Sequence, residues 1–391
     1  MALPLDGIRV LDFTAAGAGP CATMLLGDFG AEVIKIEPPE GDHSRIWGTA
    51  RFGDGGEFSG LYLSVNRNKS SVVLDLKSAE GQAAIKHLIP TADVIVENYK
   101  PGVADRLHIG YQDAVQLRPD IIYCSISGFG QTGPMRERPG FDNLIQAYVG
   151  HMSVTGEEGR PSVRIGISAN DILTAAHGAY GIVVALLHRR STGEGQHIDT
   201  SLYETGIHLM GHYIADYTGT GNLLGKTGPY FPFLAPYGVF TASDREFYMG
   251  CGTDKLFERF CNAIDRRDFL TNPLYETNGV RVANSHQLYA ELGPIFKSKT
   301  AQEWVDLCIK FSIPTTLLYN IGELVNEQEQ AQARNMLVET GVEGIRTAGP
   351  PIKMSKTPAE IRRNPPYLGA DTERVLRESG FEGPYQAEVA E

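Results

Sequence analysis

Read for apolar and polar positions, the chain opens on strand, helix, strand. Ile8–Phe13 is a strand-like run. Ala18–Phe29 is apolar at helical spacing and is closed by Gly30, a residue suited to the position just past a helix. Glu32–Glu37 is a second strand and stops at Pro38-Pro39. Two strands joined by a helix within about thirty residues form a βαβ unit and imply a parallel sheet. The pattern continues with a basic loop and a strand between Leu61 and Lys77, then an amphipathic helix over Ser78–Leu88. A strand from Val94 turns at Lys100-Pro101-Gly102, and a buried strand covers Ile121–Ser127.

The strongest pattern lies between Arg164 and Glu204. A polar loop, Ser168-Ala169-Asn170-Asp171, precedes a long apolar run. Ile172, Ala176, Ala179, Val183 and Leu187 recur at helical spacing, widened by Leu173, Tyr180 and Val184, and predict a helix with that stripe as its apolar face. His188, Arg189 and Arg190 fall in its last turn, where cations suit the helix dipole. Ser191–Gly195 stops it, and Gln196–Leu202 reads as a strand. Asp171 stands at the mouth of this helix. One reading makes it the N-cap, and another a carboxylate nucleophile held ionised by the helix terminus; the two are compatible. Asp142, where Pro139–Ala147 opens a shorter helix, reads as the cap of that helix.

Beyond Glu204 the helical pattern runs through Leu209, Ile214 and Tyr217. A stretch rich in Gly and Pro follows, to Pro236. Tyr237–Gly250 then reads as a hairpin turning at Ser243-Asp244-Arg245. Thr253–Ala263 and Thr300–Phe311 read as helices, the latter opened by the capping box Thr300/Glu303. The predicted fold is therefore α/β, a Rossmann-like parallel sheet in a large domain plus a smaller α+β domain. The expected organisation is residues 1–225 for the large domain, 226–325 for the small one, and 326–391 for a segment returning to the large domain.

Composition narrows the function. The 391 residues carry a net charge of −12, which argues against a general nucleic-acid binder but not against a local basic groove. The longest unbroken apolar stretch, Ile182–Leu187, is too short to span a membrane, and Met1–Asp6 has no signal-peptide shape. Five scattered cysteines without a C-x-x-C pair suggest reduced thiols and a cytoplasmic setting. Ten dispersed histidines offer no metal-ligand spacing, so no metal is expected. Gly17-Ala18-Gly19-Pro20-Cys21-Ala22 fits G-x-G-x-x-A, with Glu37 twenty residues after Gly17, and raises a nicotinamide oxidoreductase as one alternative. Against it, Thr14-Ala15-Ala16 separates the strand from Gly17, and Pro20 removes an N–H where a pyrophosphate would dock. Arg67, Lys69 and Lys77, taken alone, read as a solvated face.

The run D-I-L-T-A-A-H-G-A-Y-G-I-V-V-A-L-L-H-R-R-S-T-G-E-G-Q-H-I-D-T-S-L resembles the signature of the class III CoA-transferase family. That family includes formyl-CoA:oxalate and carnitine CoA-transferases and 2-methylacyl-CoA racemases. The resemblance runs almost end to end: Ser125–Pro134 is similar to its S-I-x-G-F-G-x-x-G-P loop, and Gly349–Pro358 and Leu368–Leu376 to its closing motifs. It implies that Asp171 is the catalytic aspartate and that Gly17 and Ala18 face the nucleotide part of CoA. Through N-x-x-K-x-S-x-x-L-(D/N)-x-K it places Lys77 and the Leu74 backbone at the phosphates and adenine. Through V-E-N-(F/Y)-x-P-G it places Asn98, Tyr99 and Lys100 along the cofactor, with Arg106 near its phosphates.

Gly17 stands where some members have Gln, Pro38 where some have Arg, and Pro139 where some have Lys, with Arg138 a substitute for the last. Racemases resemble G-H-D-I-N where this chain has Phe141, which cannot move a proton, so transfer is favoured over isomerisation. Pro229–Phe233 replaces the glycine-rich loop of many transferases. The resemblance further implies two interlocked chains in a homodimer and acyl-CoA and carboxylic acid substrates, with succinyl-CoA one candidate donor. CoA enters as a substrate and no cofactor is permanently bound. A catalytically silent CoA-binding protein is the non-enzyme alternative.

Overall fold

A computed structural model describes residues 2–383; Met1 and residues 384–391, the end of the expected returning segment, lie outside them. The described residues of Met1–Val149, Ile165–Gly211 and Glu329–Glu391 form one compact unit, and Gly150–Arg164 with His212–Gln328 form a second.

The first unit is built in chain order from β1 (Arg9–Phe13), α1 (Ala18–Asp28), β2 (Glu32–Glu37), α2 (Gly60–Val65), β3 (Lys69–Val73), α3 (Ala79–Leu88), β4 (Val94–Glu97), α4 (Val103–Arg106), α5 (Tyr111–Leu117), β5 (Ile122–Ser127) and α6 (Asp142–Tyr148). The short α7 (His151–Val154) belongs to the second unit; α8 (Ala169–Thr192), β6 (His197–Ser201) and α9 (Leu202–Leu209) complete the series. Six strands pair in the order β3-β2-β1-β4-β5-β6, every pair parallel. This is the doubly wound arrangement, and its strand order reverses between β1 and β4. Each face of the sheet has its own core. Val10, Val33, Val96, Cys124 and Ile126 pack under α1 and α8. Leu11, Ile34, Val72, Ile95 and Tyr123 pack under α3, α5 and a last helix, Thr372–Glu378. Strands buried on both sides explain the near-continuous apolar runs in the sequence.

The second unit holds a three-stranded antiparallel sheet of β7 (Tyr237–Thr241), β8 (Glu246–Gly250) and β9 (Thr315–Leu317). Its core is aromatic: Phe240, Phe247, Phe260, Phe296 and Trp304 are buried together. The hairpin pairs Tyr237 with Gly250, and the Thr300/Glu303 capping box forms. Back in the first unit, β10 (Leu337–Glu339) and β11 (Arg346–Ala348) make a small antiparallel ribbon. The segment after it lies along β3, with Asn68 N–H bonded to Arg363 C=O and Asp371 N–H to Ser71 C=O.

The long helix α8 corrects the sequence reading. Its buried stripe is Thr174, Ala175, Gly178, Ala179, Ile182 and Ala185, whereas Ile172, Tyr180, Val183, Val184 and Leu187 are exposed. The small residues let α8 lie close on α1 and on β5: a Cβ on Gly178 would come within 3.1 Å of Ile126. The helix is apolar on both sides, and by length and composition alone its 24 residues could cross a bilayer. Arg67 and Lys69 also depart from expectation. They are buried, not solvated, and pair with Asp28 at 2.7 Å and Asp12 at 2.9 Å.

Candidate active site

In a doubly wound sheet, ligands bind beyond the carboxyl ends of the strands where the order reverses. A cavity of about 1250 Å³ lies there. Its wall is made by the residues that follow each strand: Thr14–Ala18 after β1, Pro38–His43 after β2, Leu74–Lys77 after β3, Asn98–Pro101 after β4, and Gly128 after β5. The volume exceeds that of an ordinary small-molecule pocket and suits a long ligand.

The loop after β1 is fixed from behind by buried charge. Asp12 accepts the Thr14 N–H at 2.9 Å and the Thr23 hydroxyl at 2.6 Å, besides its bond from Lys69. Lys35 Nζ donates to the Thr14 carbonyl at 2.6 Å and pairs with Asp42 at 2.9 Å. Ala16 is left-handed, with φ 69°, and its N–H is bonded to Asp42 at 3.2 Å. A non-glycine residue holds that conformation only when its surroundings fix it. Arg45 grips Glu37 through two bonds of 2.9 and 2.8 Å and lies over the Tyr62 ring. Against the penalty of burial, Lys69 and Lys35 hold Asp12 below the usual carboxylate range, and Lys35 holds Asp42 down to about 2. Glu37 is lowered likewise, burial being outweighed by Arg45 and Lys35.

The residues that the resemblance implies for the site line this cavity: Gly17, Ala18, Leu74, Lys77, Asn98, Tyr99, Lys100, Arg106, Arg138 and Asp171. Their surroundings differ. Lys77, Arg106 and Arg138 carry no acidic partner among the described residues; the Arg138 guanidinium meets only the Met135 sulfur, at 3.8 Å. Lys100 pairs with Glu137 at 3.4 Å. The Leu74 N–H is taken by the Glu37 carbonyl, so a backbone contact from Leu74 to a ligand falls to its carbonyl. Asn98 turns its amide on Ala15, accepting its N–H at 2.9 Å and donating one N–H to its carbonyl at 2.7 Å. The side chain thus clamps the β1–α1 loop.

Asp171 is not the N-cap of α8. The helix starts at Ala169, and the Ser168 hydroxyl makes no capping bond. The N–H groups of Asn170 and Asp171 go instead to Asp142 Oδ2, at 2.8 and 3.2 Å. Asp142 is the first residue of α6 and serves as cap for α8, not for its own helix. The Asp171 carboxylate takes no hydrogen bond or ion pair from the described residues. A Cβ placed on Gly17 would lie 3.2 Å from its Oδ2, so the start of α1 closes on it. Burial first, then the charge of Asp142, push Asp171 up to about 6.

One further buried acid escaped the sequence reading. Glu97 ends β4 and lies behind Tyr99, whose N–H it accepts at 2.8 Å. It has no cation partner among the described residues. Burial pushes it up to about 7, helped by Asp105 and Asp199 and opposed by bonds from Ser125 and Tyr99.

Residues 5–372 match the family model described as CoA-transferase family III. The chain belongs to that family. As a CoA-transferase it shares 38% identity over 355 residues with acetyl-CoA:oxalate CoA-transferase of Acetobacter aceti, covering 90% of this chain and 89% of the relative. It shares 36% over 380 residues with succinyl-CoA:glutarate CoA-transferase of Homo sapiens, covering 96% and 86%. The crystal structure of a CAIB/BAIF family protein from Brucella suis superposes with a TM-score of 0.87 at 32% identity, over 97% of this CoA-transferase and 100% of that chain.

Proposed function

We propose that this CoA-transferase moves CoA between dicarboxylic acids, with succinyl-CoA as donor, through covalent states of Asp171. Named relatives act on oxalate, glutarate, citramalate and mesaconate, all dicarboxylates, and several use succinyl-CoA. The observation that carries the mechanism is the Asp171 carboxylate, half-buried in the cavity and unengaged, whereas the neighbouring acids Glu37, Asp42 and Asp142 are all committed to partners.

An Asp171 oxygen attacks the thioester carbon, the C–S bond breaks, and CoA leaves as thiolate from a mixed anhydride. The thiolate attacks the Asp171 carbonyl carbon, the donor acid departs as carboxylate, and Asp171 holds CoA as a thioester. The acceptor carboxylate displaces the thiolate from that thioester, forming a second anhydride. CoA then attacks the acceptor acyl carbon and frees Asp171. Each acyl state remains activated, so the thioester is conserved. Lys77, Arg106 and Arg138 bind the phosphates, for which free cations are suited. Tyr99 lies along the pantetheine arm, and Asn98 holds the loop opposite. A second copy of the chain covers the apolar face Tyr180, Val184 and Leu187 of α8, as a helix apolar all round requires.

The test is to mix the protein with succinyl-CoA, quench with hydroxylamine and read peptide masses. A hydroxamate on Asp171 is expected, and Asp171→Ala should abolish transfer with CoA affinity retained. Transfer surviving in that variant would sink the mechanism.

A further inference from the structure

We propose that Asp142 is a positioning residue for the transfer reaction: from outside α8 its carboxylate fixes the backbone of Asp171 and keeps a second negative charge beside it. The proposal rests on Asp171 being the nucleophile.

A helix normally satisfies its first N–H groups with its own N-cap side chain. Ser168 is a good cap residue, yet its hydroxyl is not used. A carboxylate from 29 residues earlier replaces it and bonds the Asp171 N–H itself. Asp142 is 5% exposed and has no cation among the described residues; its other oxygen is held by the Gln146 amide. Gln146 is fixed in turn, its carbonyl accepting the Ile165 N–H at 2.8 Å just before α8. The start of α6 is placed by a backbone contact. A Cβ on either Gly128 or Gly140 would come within 2.7 Å of the other's Cα. The arrangement is built, and it is expensive: burying an unpaired carboxylate costs several kcal/mol unless hydrogen bonds offset it. Ser168 would cap the helix without that cost.

The chemistry supplies the reason. A thiolate leaving group is far more basic than an ordinary carboxylate, by about 4 to 5 pKa units, so attack on a thioester is uphill. A neighbouring negative charge makes Asp171 more basic and narrows that gap, and burial acts in the same direction. At neutral pH Asp171 stays ionised. Among the described residues, the titratable groups on the other elements packed on α8 are neutral or engaged elsewhere. Cys21 on α1 is pushed up to about 11 by burial and stays neutral, and Cys124 on β5 is raised likewise. On α9, Glu204 is bonded to Ser201, and His208 faces His177. On β6, Asp199 accepts the Gln131 N–H, and His197 meets Ser125.

Asp142→Asn keeps an oxygen for the two N–H groups and removes the charge. Its expected signature is a kcat lowered severalfold with KM for the acyl-CoA unchanged. The acid limb of kcat, set by protonation of Asp171, should move down by about one pH unit. The same shift should appear in a 13C-carboxyl titration of Asp171, assigned by its loss in Asp171→Asn. Asp142→Glu should restore the limb. If Asp142→Asn does not fold, Gln146→Lys, which sets a cation on the Asp142 carboxylate, should produce the same downward shift. A normal hydroxamate on Asp171 with limb and titration unmoved in these variants would overturn the role of Asp142 alone. No hydroxamate in the wild-type protein would remove the nucleophile itself.

Discussion

Two groups of buried or half-buried carboxylates lie at the same end of the sheet and behave oppositely. Asp12, Glu37 and Asp42 sit behind the β1–α1 loop with Lys69, Arg45 and Lys35, and each is held below the usual range. Asp171 and Glu97 have no cation among the described residues, and each is pushed up, to about 6 and about 7. Burial is common to both groups, so burial alone does not decide the outcome. The counter-ion does. Matched charge gives this site a rigid wall, and unmatched charge gives it carboxylates whose protonation state lies within reach of working pH.

The comparison can be broken most severely by removing one member of the matched group. Lys69→Met leaves Asp12 buried and unpaired, and should cost about 3–5 kcal/mol in a urea melt, with the Thr14–Gly17 loop losing order. In the unmatched group the sign reverses. The rise of Glu97 from 4.5 to about 7 means that its contribution to stability is complete below pH 4.5 and is lost as pH climbs through 7. Glu97→Gln should therefore be more stable than wild type by about 3 kcal/mol at pH 8.5, with the difference vanishing near pH 4. The cations of the cavity sharpen the same contrast at smaller scale. Arg106→Gln removes an unpaired charge and should weaken CoA binding about tenfold by calorimetry. Lys100→Gln removes one already shared with Glu137 on the surface, and should change affinity by less than about 1 kcal/mol.

Much of this was legible in the chain. The parallel sheet followed from the spacing of strands and helices, and the cavity residues from motifs lying just after the strands. Local pattern failed where the partner is distant in sequence. The cap of α8 is supplied by Asp142, and no rule about neighbouring residues reaches that far. Arg67 and Lys69 read as surface because their partners, Asp28 and Asp12, stand about 40 and 60 residues earlier. The stripe on α8 was misplaced for another reason. Periodicity weighs large apolar residues, but close packing against α1 and β5 selected Gly and Ala beside Ile182, and most of the large side chains were left outside.

The Asn98 clamp has a consequence for chemical ageing. Its amide faces Ala15 with one acceptor and one donor, and both are used. Hydrolysis of the side-chain amide, which takes up water and releases ammonia, would replace the donor with a second oxygen, aimed at the Ala15 carbonyl. The bond to the Ala15 N–H would survive and the other would become a repulsion, at the loop that faces Asp171. Prolonged storage would thus disable the site by one atom's change of identity, with the chain uncut and the fold still standing.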